Sequence, residues 1–268
     1  MIRAKLTSLG RLVGRHRDAT VTRVAALAAR RYLDAYENLD YDIEMNGELR
    51  VLEILRDLDP LLVFDVGANV GDWTAHARGL FASAVIHCFE LVPDTADRLA
   101  HRFEEDEQVV VHRIGLSDRP GTVAVHHYPA RPDLSTMVAY PQPFDHVALD
   151  VAVDVGDAYL AAVGSDRLDL LKVDVEGAEH RVLQGFSSAF ESGHITVVQF
   201  EYGRANIAER ALLRDLYAWF DGFGFDVGKI YPRTVDFRPY RFEDEDFRGP
   251  NFLAVHRSHT GLIDRLRG

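Results

Sequence analysis

The sequence predicts an α/β fold that is doubly wound around a mostly parallel sheet of seven strands. Short apolar runs alternate with helical stretches between residues 61 and 222, which is typical of sheets with helical crossovers. A tight turn with two glycines follows the first run. Ligands bind beyond the carboxyl ends of parallel strands, so polar residues there mark a working edge. Five runs end at such a residue: Asp65, Glu90, Ser117, Asp174 and Glu201.

The first 58 residues are predicted to form a helical N-terminal arm, ahead of a main domain at 59–268. The stretch 27–33 is rich in alanine and other good helix formers. Residues 48–58 carry leucines at helical spacing. Asp59 then ends this helix, because a residue before proline is pushed out of the α conformation.

The elements between residues 61 and 118 follow the strand–helix alternation. Strands are expected at 61–64, 85–89 and 109–114, and helices at 72–81 and 93–105. Residues 119–153 break the alternation. Two short strands, 122–127 and 147–153, enclose a proline-rich loop there, and we interpret this segment as an insert that roofs the site.

The alternation returns after the insert. Helices are predicted at 157–163, 178–190 and 206–222, and strands at 168–173 and 195–200. The last two strands, 225–231 and 252–256, are separated by a long acidic and aromatic loop. We expect these two to pair as an antiparallel hairpin at the end of the sheet.

The charge distribution argues against nucleic-acid binding. The net charge is −12, whereas phosphate neutralisation needs a basic surface. Residues 1–31 hold eight Lys or Arg and one acid, so the rest holds 22 basic and 41 acidic residues, a balance of −19. We interpret the basic arm as a solvated amphipathic helix. Contact with an anionic lipid or polymer, or with the acidic body of its own or a partner subunit, is the alternative.

The remaining composition suits a cytoplasmic protein. The single cysteine, Cys88, lies in an apolar run and is expected to be a buried, inert thiol. No segment approaches the roughly 20 apolar residues that span a membrane. The basic start is not followed by an apolar block, so a secretory signal is not expected.

The turn at 65–71 indicates a cofactor site. Gly67 and Gly71 permit a tight turn, and the helix beyond offers unpaired N–H groups to an anion. Glu90, at the end of the next strand, can accept hydrogen bonds from a ribose diol. A nicotinamide site would need glycine where Asn69 stands, and the acid Asp65 would repel a pyrophosphate. Asp65 instead suits the ammonium group of S-adenosylmethionine.

Four motifs resemble those of the FkbM family of S-adenosylmethionine-dependent methyltransferases. They are D-V-G-A-N-V-G at 65–71, F-E-x-x-P at 89–93, G-L-S-D at 115–118 and L-K-V-D-V-E-G-A-E at 171–179. The resemblance implies a Rossmann-like class I methyltransferase domain and an oxygen acceptor. The leading candidate for the acceptor is a hydroxyl of a sugar or glycolipid precursor, and a polyketide or macrolide is the alternative acceptor. The alternative functions from other classes are a nicotinamide-dependent oxidoreductase and a non-catalytic scaffold with the same fold.

Residues for the cofactor and for catalysis can be named on this basis. The expected contacts of S-adenosylmethionine are Asp65, Gly67, Ala68, Asn69, Gly71, Trp73, Thr74, Glu90, Leu91, Ser117 and Asp174. The candidate catalytic residues are Asp174, Glu176, Glu201 and, from the insert, His146. Asp174 and Glu201 are also candidate Mg²⁺ ligands. For Asp174 and Glu176 the alternative is that they cap the following helix.

The expected partners follow from the same interpretation. The acceptor is a small molecule or a glycan, and nucleic acid is not expected. A homodimer that forms through the N-terminal arm or the insert is a further expectation.

Overall fold

The computed structural model describes residues 2–129, 135–136, 145–248 and 250–268. Its strands are β1 (Leu62–Val66), β2 (Val85–Phe89), β3 (Val109–His112), β4 (Gly115–Leu116), β5 (Gly121–His127), β6 (Val147–Asp154), β7 (Leu168–Val173), β8 (Ile195–Glu201), β9 (Phe225–Tyr231), β10 (Thr234–Phe237) and β11 (Asn251–His256). A short 3-10 helix, Phe242–Asp244, lies between β10 and β11.

The helices lie before, between and after these strands. They are α1 (Ile2–Arg15), α2 (Thr20–Tyr36), α3 (Ile43–Asn46), α4 (Glu48–Arg56), α5 (Asp72–Leu80), α6 (Pro93–Arg102), α7 (Gly156–Val163), α8 (Glu179–Gln184), α9 (Ser187–Glu191), α10 (Asn206–Glu209), α11 (Leu213–Gly222) and α12 (Thr260–Arg267).

The main sheet confirms the predicted fold class. Its strand order is β10-β9-β11-β8-β7-β1-β2-β3. The five strands from β8 to β3 are parallel, while β11 runs antiparallel to both β8 and β9, as the predicted hairpin requires. The sheet has eight strands rather than seven, because part of the loop between β9 and β11 folds back as β10.

The insert builds a second, smaller sheet in the order β4-β6-β5. The two predicted short strands pair antiparallel, with Gly121 opposite Val153. The predicted strand 109–114 is too long: the main sheet ends at His112, and the chain then pairs Gly115 with Val153. Ser117 therefore follows β4 of the small sheet and not the third strand of the main sheet. Tyr140 and Phe144, two aromatic residues of the insert that could stack on a sugar acceptor, lie outside the described residues.

Two predicted helices are each divided into two. The 178–190 stretch breaks at Gly185, where a Cβ atom would overlap the backbone carbonyl oxygen of Ser117. The 206–222 stretch breaks at Arg210, which takes a left-handed conformation with a φ of 59°. In the first case a close backbone contact interrupts the helix, which no hydrophobic periodicity reveals.

Both faces of the main sheet are covered, as expected for a parallel sheet. Alternate residues of β1 and β7 point in opposite directions. Val63 and Leu170 pack in a cluster with α4, α5 and α12. Phe64 and Leu171 pack in a second cluster with helices of the other layer. Cys88 belongs to the first cluster and is fully buried, so the expected buried thiol is confirmed.

The predicted arm has two different parts in the structure. Helix α2 has no buried residue, and the described side chains of α1 are exposed. Helix α4 instead buries Val51, Leu52 and Leu55 against the main sheet. The domain boundary at residue 58 stays a prediction. Within the described part of the chain, no helix combines the length and the apolar character needed to cross a membrane.

A contact between a buried and a half-buried histidine makes stability depend on pH. His87 Nδ1 lies 2.9 Å from His112 Nε2. Burial, followed by the charge of His112, lowers the pKa of His87 to about 4, and burial also lowers the pKa of His112. Only the unfolded chain takes up these protons near pH 6.5. The free energy of unfolding is therefore retained above that pH and decreases as the pH falls towards 4.

We predict that His87→Phe flattens this pH dependence. At about 1.4 kcal/mol per pKa unit, the native protein loses on the order of 3 kcal/mol between pH 6.5 and 4 through His87. Urea unfolding at a series of pH values measures the slope. His16→Gln, which changes an exposed histidine, should keep the native slope. Equal slopes for the native protein and His87→Phe would contradict the assignment.

Candidate cofactor and methyl-transfer site

The glycine turn between β1 and α5 is held in an unusual backbone conformation. Gly67, Asn69 and Gly71 all have positive φ angles, of 80°, 49° and 83°. The backbone N–H groups of Gly67 and Ala68 both donate to the carbonyl oxygen of Phe89, at 2.9 and 3.1 Å. These bonds fix the turn to the end of β2 and leave the N-terminus of α5 facing the working edge.

Gly67 is required by a contact between two loops. A Cβ atom there would overlap the carbonyl oxygen of Asp174, which ends β7. At Gly71 the Cβ would lie 2.6 Å from side-chain atoms of both Leu99 and Phe103. The first glycine therefore brings the turn against the candidate catalytic loop, and the second brings it against α6. Sequence reasoning attributed these glycines to a tight turn and did not foresee these two packing contacts.

Glu90 connects the glycine turn to α6. Its Oε2 accepts a hydrogen bond from the Asn69 N–H at 2.9 Å, and its Oε1 accepts one from the Val92 N–H at 2.8 Å. Burial raises the pKa of this carboxyl. A carboxylate has about four lone-pair sites, so two bonds leave capacity for further donors. Its predicted contact with a ribose diol stays a prediction.

Asp65 is fully buried below the turn, where its carboxylate contacts Thr74 and Lys172. Its Oδ2 accepts a hydrogen bond of 2.6 Å from Thr74 Oγ1, and its Oδ1 lies 3.2 Å from Lys172 Nζ. Lys172 also lies 3.3 Å from Asp174 Oδ2, which is on the accessible side. Burial works against the charged lysine, but Asp174 and Asp65 raise its pKa above the usual value. The predicted contact of Asp65 with the cofactor's ammonium stays untested.

This ion pair belongs to a polar row that crosses the buried sheet. Asp65 is opposite Lys172 in the β1–β7 register, and Lys172 is opposite Gln199 in the β7–β8 register. Gln199 donates to Glu48 of α4, and burial raises the pKa of Glu48. Lys172 therefore forms a structural salt bridge inside the strand. Sequence reasoning did not foresee the role of Glu48, because nothing in the 48–58 pattern distinguishes this acid from a solvated one.

The three acidic candidates for catalysis come together beyond β7 and β8. One carboxylate oxygen from each of Asp174, Glu176 and Glu201 lies within 4.8 Å of the others. Burial, and then the carboxylates of Asp174 and Glu176, raise the pKa of Glu201 well above its usual value. So many acids at one place attract a proton or a cation.

The loop that carries Asp174 and Glu176 is held by a buried acid, Glu179. Its Oε1 accepts the backbone N–H groups of Val175 and Gly177, at 3.1 and 3.0 Å. Its Oε2 accepts a hydrogen bond of 2.7 Å from Asn206 Nδ2. Burial raises its pKa to about 7 in spite of these bonds. The N-cap residue of α8, Ala178, makes no side-chain cap, and the alternative that Asp174 and Glu176 stabilise the start of this helix stays a prediction.

The insert reaches the same loop through a different residue from the one expected. Thr136 Oγ1 donates to the Glu176 carbonyl oxygen at 2.7 Å, and its backbone pairs with His126. His146 is exposed and has its ring against His126 and Tyr128, with centroids 4.8 and 5.6 Å away. Among the described residues, the carboxylate cluster does not include His146. Its role as a catalytic base stays a prediction.

Tyr41 lies between α2 and α3, within electrostatic range of the carboxylate cluster, which sequence reasoning did not foresee. The residue is 72% exposed. Partial removal from water, followed by the charges of Glu201 and Glu176, raises its pKa to about 12. Asn38 holds this segment in place by donating to the carbonyl oxygens of Asn46 and Ile230, at 2.8 and 2.9 Å. No sequence signal connected residue 41 to strand ends more than a hundred residues away.

The remaining predicted cofactor contacts lie around the turn, and their role stays a prediction. Ala68 and Trp73 are buried beside the turn, while Leu91 is partly buried. The indole N–H of Trp73 has no hydrogen-bond partner among the described residues. A buried donor without a partner is costly, and a polar group of a ligand would satisfy it. Ser117 is buried at the end of β4, where its backbone N–H donates to Asp154.

The parallel sheet, the glycine turn, the acid after β2 and the carboxylates after β7 and β8 define a nucleoside-cofactor-binding α/β protein. The chain belongs to the FkbM methyltransferase family, because the Methyltransferase FkbM domain matches residues 65–227, more than half of its length. It is therefore an S-adenosylmethionine-dependent methyltransferase, and the family resemblance of the four motifs is confirmed.

The chain is also similar in sequence to several named methyltransferases. Hexuronic acid methyltransferase AglP of Haloferax volcanii is 26% identical over 193 residues, which cover 71% of this chain and 77% of that protein. The 2-O-methyltransferase NoeI of Sinorhizobium fredii is 26% identical over 205 residues, covering 70% and 81%. Methyltransferase sdnD of Sordaria araneosa is 31% identical over 157 residues, covering 47% and 60%.

Solved structures resemble the chain more distantly. Methyltransferase FkbM from Methylobacillus flagellatus KT has a TM-score of 0.48 and 15% identity, and the match covers 74% of this chain but 44% of that one. An O-methyltransferase from Bacillus cereus has a TM-score of 0.43 and 11% identity, with 92% and 97% covered.

We predict that Gly67→Ala destabilises the protein and weakens cofactor binding. The added methyl group would meet the backbone of Asp174, which cannot move aside as a side chain can. Thermal unfolding and calorimetry with S-adenosylhomocysteine measure both effects. Gly79→Ala is the matched control: open space surrounds that position in α5, and alanine there should add up to about 1 kcal/mol of stability. Native-like binding by Gly67→Ala would contradict the packing argument.

We predict that Lys172→Met costs about 3–5 kcal/mol, because it leaves a buried carboxylate without its cation. The double variant Lys172→Met/Asp65→Asn should recover much of this loss. Lys229→Met is the matched control. Lys229 is also buried and lies 3.2 Å from a carboxylate, Glu37, but that partner is partly exposed and can be hydrated. Urea unfolding of the native protein, Lys172→Met, Asp65→Asn and the double variant measures the coupling, with Lys229→Met alongside, and purely additive losses would contradict it.

Proposed function

We propose that the protein transfers a methyl group from S-adenosylmethionine to a hydroxyl of a sugar, an oligosaccharide or a glycolipid precursor. The observation that supports this most is the meeting of Asp174, Glu176 and Glu201 directly beside the glycine turn. A hydroxyl is a poor nucleophile at neutral pH, and acceptors of this kind need a group that takes their proton. The names of AglP and NoeI agree with an oxygen or sugar acceptor.

The cofactor would lie along the edge from Glu90 to Asp174. Asn69 and Gly71 have the positive φ angles that shape the turn. Glu90 would accept hydrogen bonds from hydroxyls of the cofactor, and the Trp73 N–H, which has no partner among the described residues, would donate one. When bound, S-adenosylmethionine supplies an activated methyl group on a positive sulfonium. The excess of carboxylates over cations around Lys172 attracts such a charge.

The acceptor would approach from the side of Tyr41 and the insert. Asp174 or Glu201 would take the hydroxyl proton, and the fixed loop would hold that oxygen in line with the methyl group. Positioning accounts for most of the rate in such transfers, because the electrophile is already activated. Glu179 and Thr136 fix the loop from opposite sides, so the geometry is set before the acceptor binds.

We predict that Asp174→Asn and Glu201→Gln lower kcat at least 100-fold, since a general base contributes about 10²–10⁴. Labelled S-adenosylmethionine with a panel of uronic acids, neutral sugars, glycolipid precursors and macrolides measures transfer. Glu209→Gln is the control, because Glu209 pairs with Arg181 away from the cluster. Calorimetry checks that each variant retains S-adenosylhomocysteine.

Each outcome of this experiment decides between acceptors. Methylation of macrolides alone would replace the sugar by the alternative acceptor. Wild-type turnover in both carboxylate variants would remove these acids from the reaction. Binding of S-adenosylhomocysteine without transfer to any hydroxyl in the panel would contradict O-methylation of these acceptor classes.

A divalent cation is a second candidate component of this site. Three carboxylate oxygens within 4.8 Å match the hard ligands that Mg²⁺ prefers, and Mg²⁺ usually keeps several waters beside one or two carboxylates. Asp174 and Glu201 would hold it, with Glu176 adjacent. A bound cation would supply Lewis-acid activation of the acceptor oxygen.

We predict that EDTA treatment abolishes methyl transfer and that Mg²⁺ restores it, with S-adenosylhomocysteine binding unchanged. Calorimetry with Mg²⁺ measures the cation directly, and Asp174→Asn should remove its signal. Glu209→Gln should bind Mg²⁺ as the native protein does. Full activity in EDTA, together with no heat of Mg²⁺ binding in calorimetry, would contradict a cation at this site. The carboxylates would then act only as proton acceptors.

A further inference from the structure

The helices α1 and α2 present apolar side chains to solvent. Leu9, Leu12 and Val13 of α1 are between 46% and 56% exposed, and Val21 and Val24 of α2 are 76% and 61% exposed. A helix turns about 100° per residue, so each group lies along one side of its helix. Such a stripe normally packs against something, and α2 buries no residue in this chain.

The opposite side of each helix is basic. Arg11 and Arg15 lie away from the apolar stripe of α1, and Arg23 and Arg30 lie away from that of α2. The first 31 residues contain eight basic residues against a single acid. A polar face rich in arginine, opposite an apolar face, is typical of helices that lie in the headgroup region of a membrane.

Two tyrosines extend the apolar stripe to the end of α2. Tyr32 and Tyr36 are exposed, and their rings stack with centroids 6.2 Å apart. Tyrosine is enriched where one part of a structure meets lipid and another meets water. The stripe therefore ends in the residue type that suits a membrane boundary.

The charges decide between the possible occupants of this surface. Pairing with the arm of a second copy would bury the apolar stripes but would bring sixteen basic and two acidic residues together. The acidic body of a second copy would neutralise the arginines but would leave the apolar stripe in water. An anionic lipid surface satisfies both faces at once, because headgroups meet the arginines and acyl chains meet the stripe.

We propose that the α1–α2 arm binds the surface of anionic membranes and lies in the interface without crossing it. Neither helix meets the criteria for a membrane span, and the proposal does not depend on which acceptor is methylated. The body carries a balance of −19 and would be repelled by the same surface, so the arm alone provides the attraction.

Co-sedimentation of the full chain with lipid vesicles tests this proposal. The protein should bind vesicles of phosphatidylcholine with phosphatidylglycerol, bind phosphatidylcholine alone weakly, and dissociate as NaCl rises. Arg11→Gln/Arg15→Gln should weaken binding about 25-fold, at about five-fold for each basic residue near the surface. Leu12→Glu/Val24→Glu should abolish binding, because both apolar stripes then carry a charge.

Matched measurements keep folding and function separate from membrane binding. Phe242→Glu places the same charge at a residue of the body that is 83% exposed, and it should bind vesicles like the native protein. Every variant should retain S-adenosylhomocysteine binding, because none of the changed residues belongs to the proposed cofactor site. A variant that loses this binding has a damaged main domain, whereas a misassigned arm leaves the binding intact. Two results would overturn the proposal. One is binding without a preference for anionic vesicles. The other is that the protein does not bind vesicles and instead forms a dimer, seen by light scattering, which Leu12→Glu/Val24→Glu dissociates.

Discussion

The contact of Lys172 with Asp65 and Asp174 is the constraint on which the rest of the site depends. A lysine in the middle of a parallel sheet is costly unless its charge is matched, and here two carboxylates from two adjacent strands match it. One of these acids lies below the glycine turn, and the other belongs to the carboxylate cluster. The ion pair therefore joins the glycine turn to the carboxylate cluster.

Backbone packing strengthens the same connection. The missing Cβ of Gly67 lets the turn after β1 touch the carbonyl oxygen of Asp174, so neither loop can shift without the other. Glu90 holds the turn from β2, and Glu179 holds the Asp174 loop from α8. These two buried acids thus accept hydrogen bonds from backbone N–H groups of the loops. The bonds fix loops whose backbone is not paired in a helix or a sheet. A preorganised site of this kind spends less binding energy on ordering its own groups.

Sequence patterns carry local information, which explains what could be predicted. Apolar runs and turn residues located nearly every strand, and four of the five strand-end residues lie on one edge as expected. Ser117 does not, because the pairing of Gly115 with Val153 depends on a partner 38 residues away. Glu48 was missed for the same reason: its role arises from a long-range contact with Gln199, and an acid in a helical pattern usually faces water.

The N-terminal segment shows how one stretch of chain serves two environments. Asn38, with a φ of 58°, ends the exposed α2 and ties the following residues to β9 through Ile230. Glu37 adds an ion pair with Lys229 of the same strand. These anchors fix the segment that carries Tyr41 to the body, while α2 buries no residue. They therefore mark the point where the basic arm leaves the body. Fewer than ten residues separate Tyr32 from Tyr41, so if the arm lies on a membrane, this anchored segment is held close to that surface.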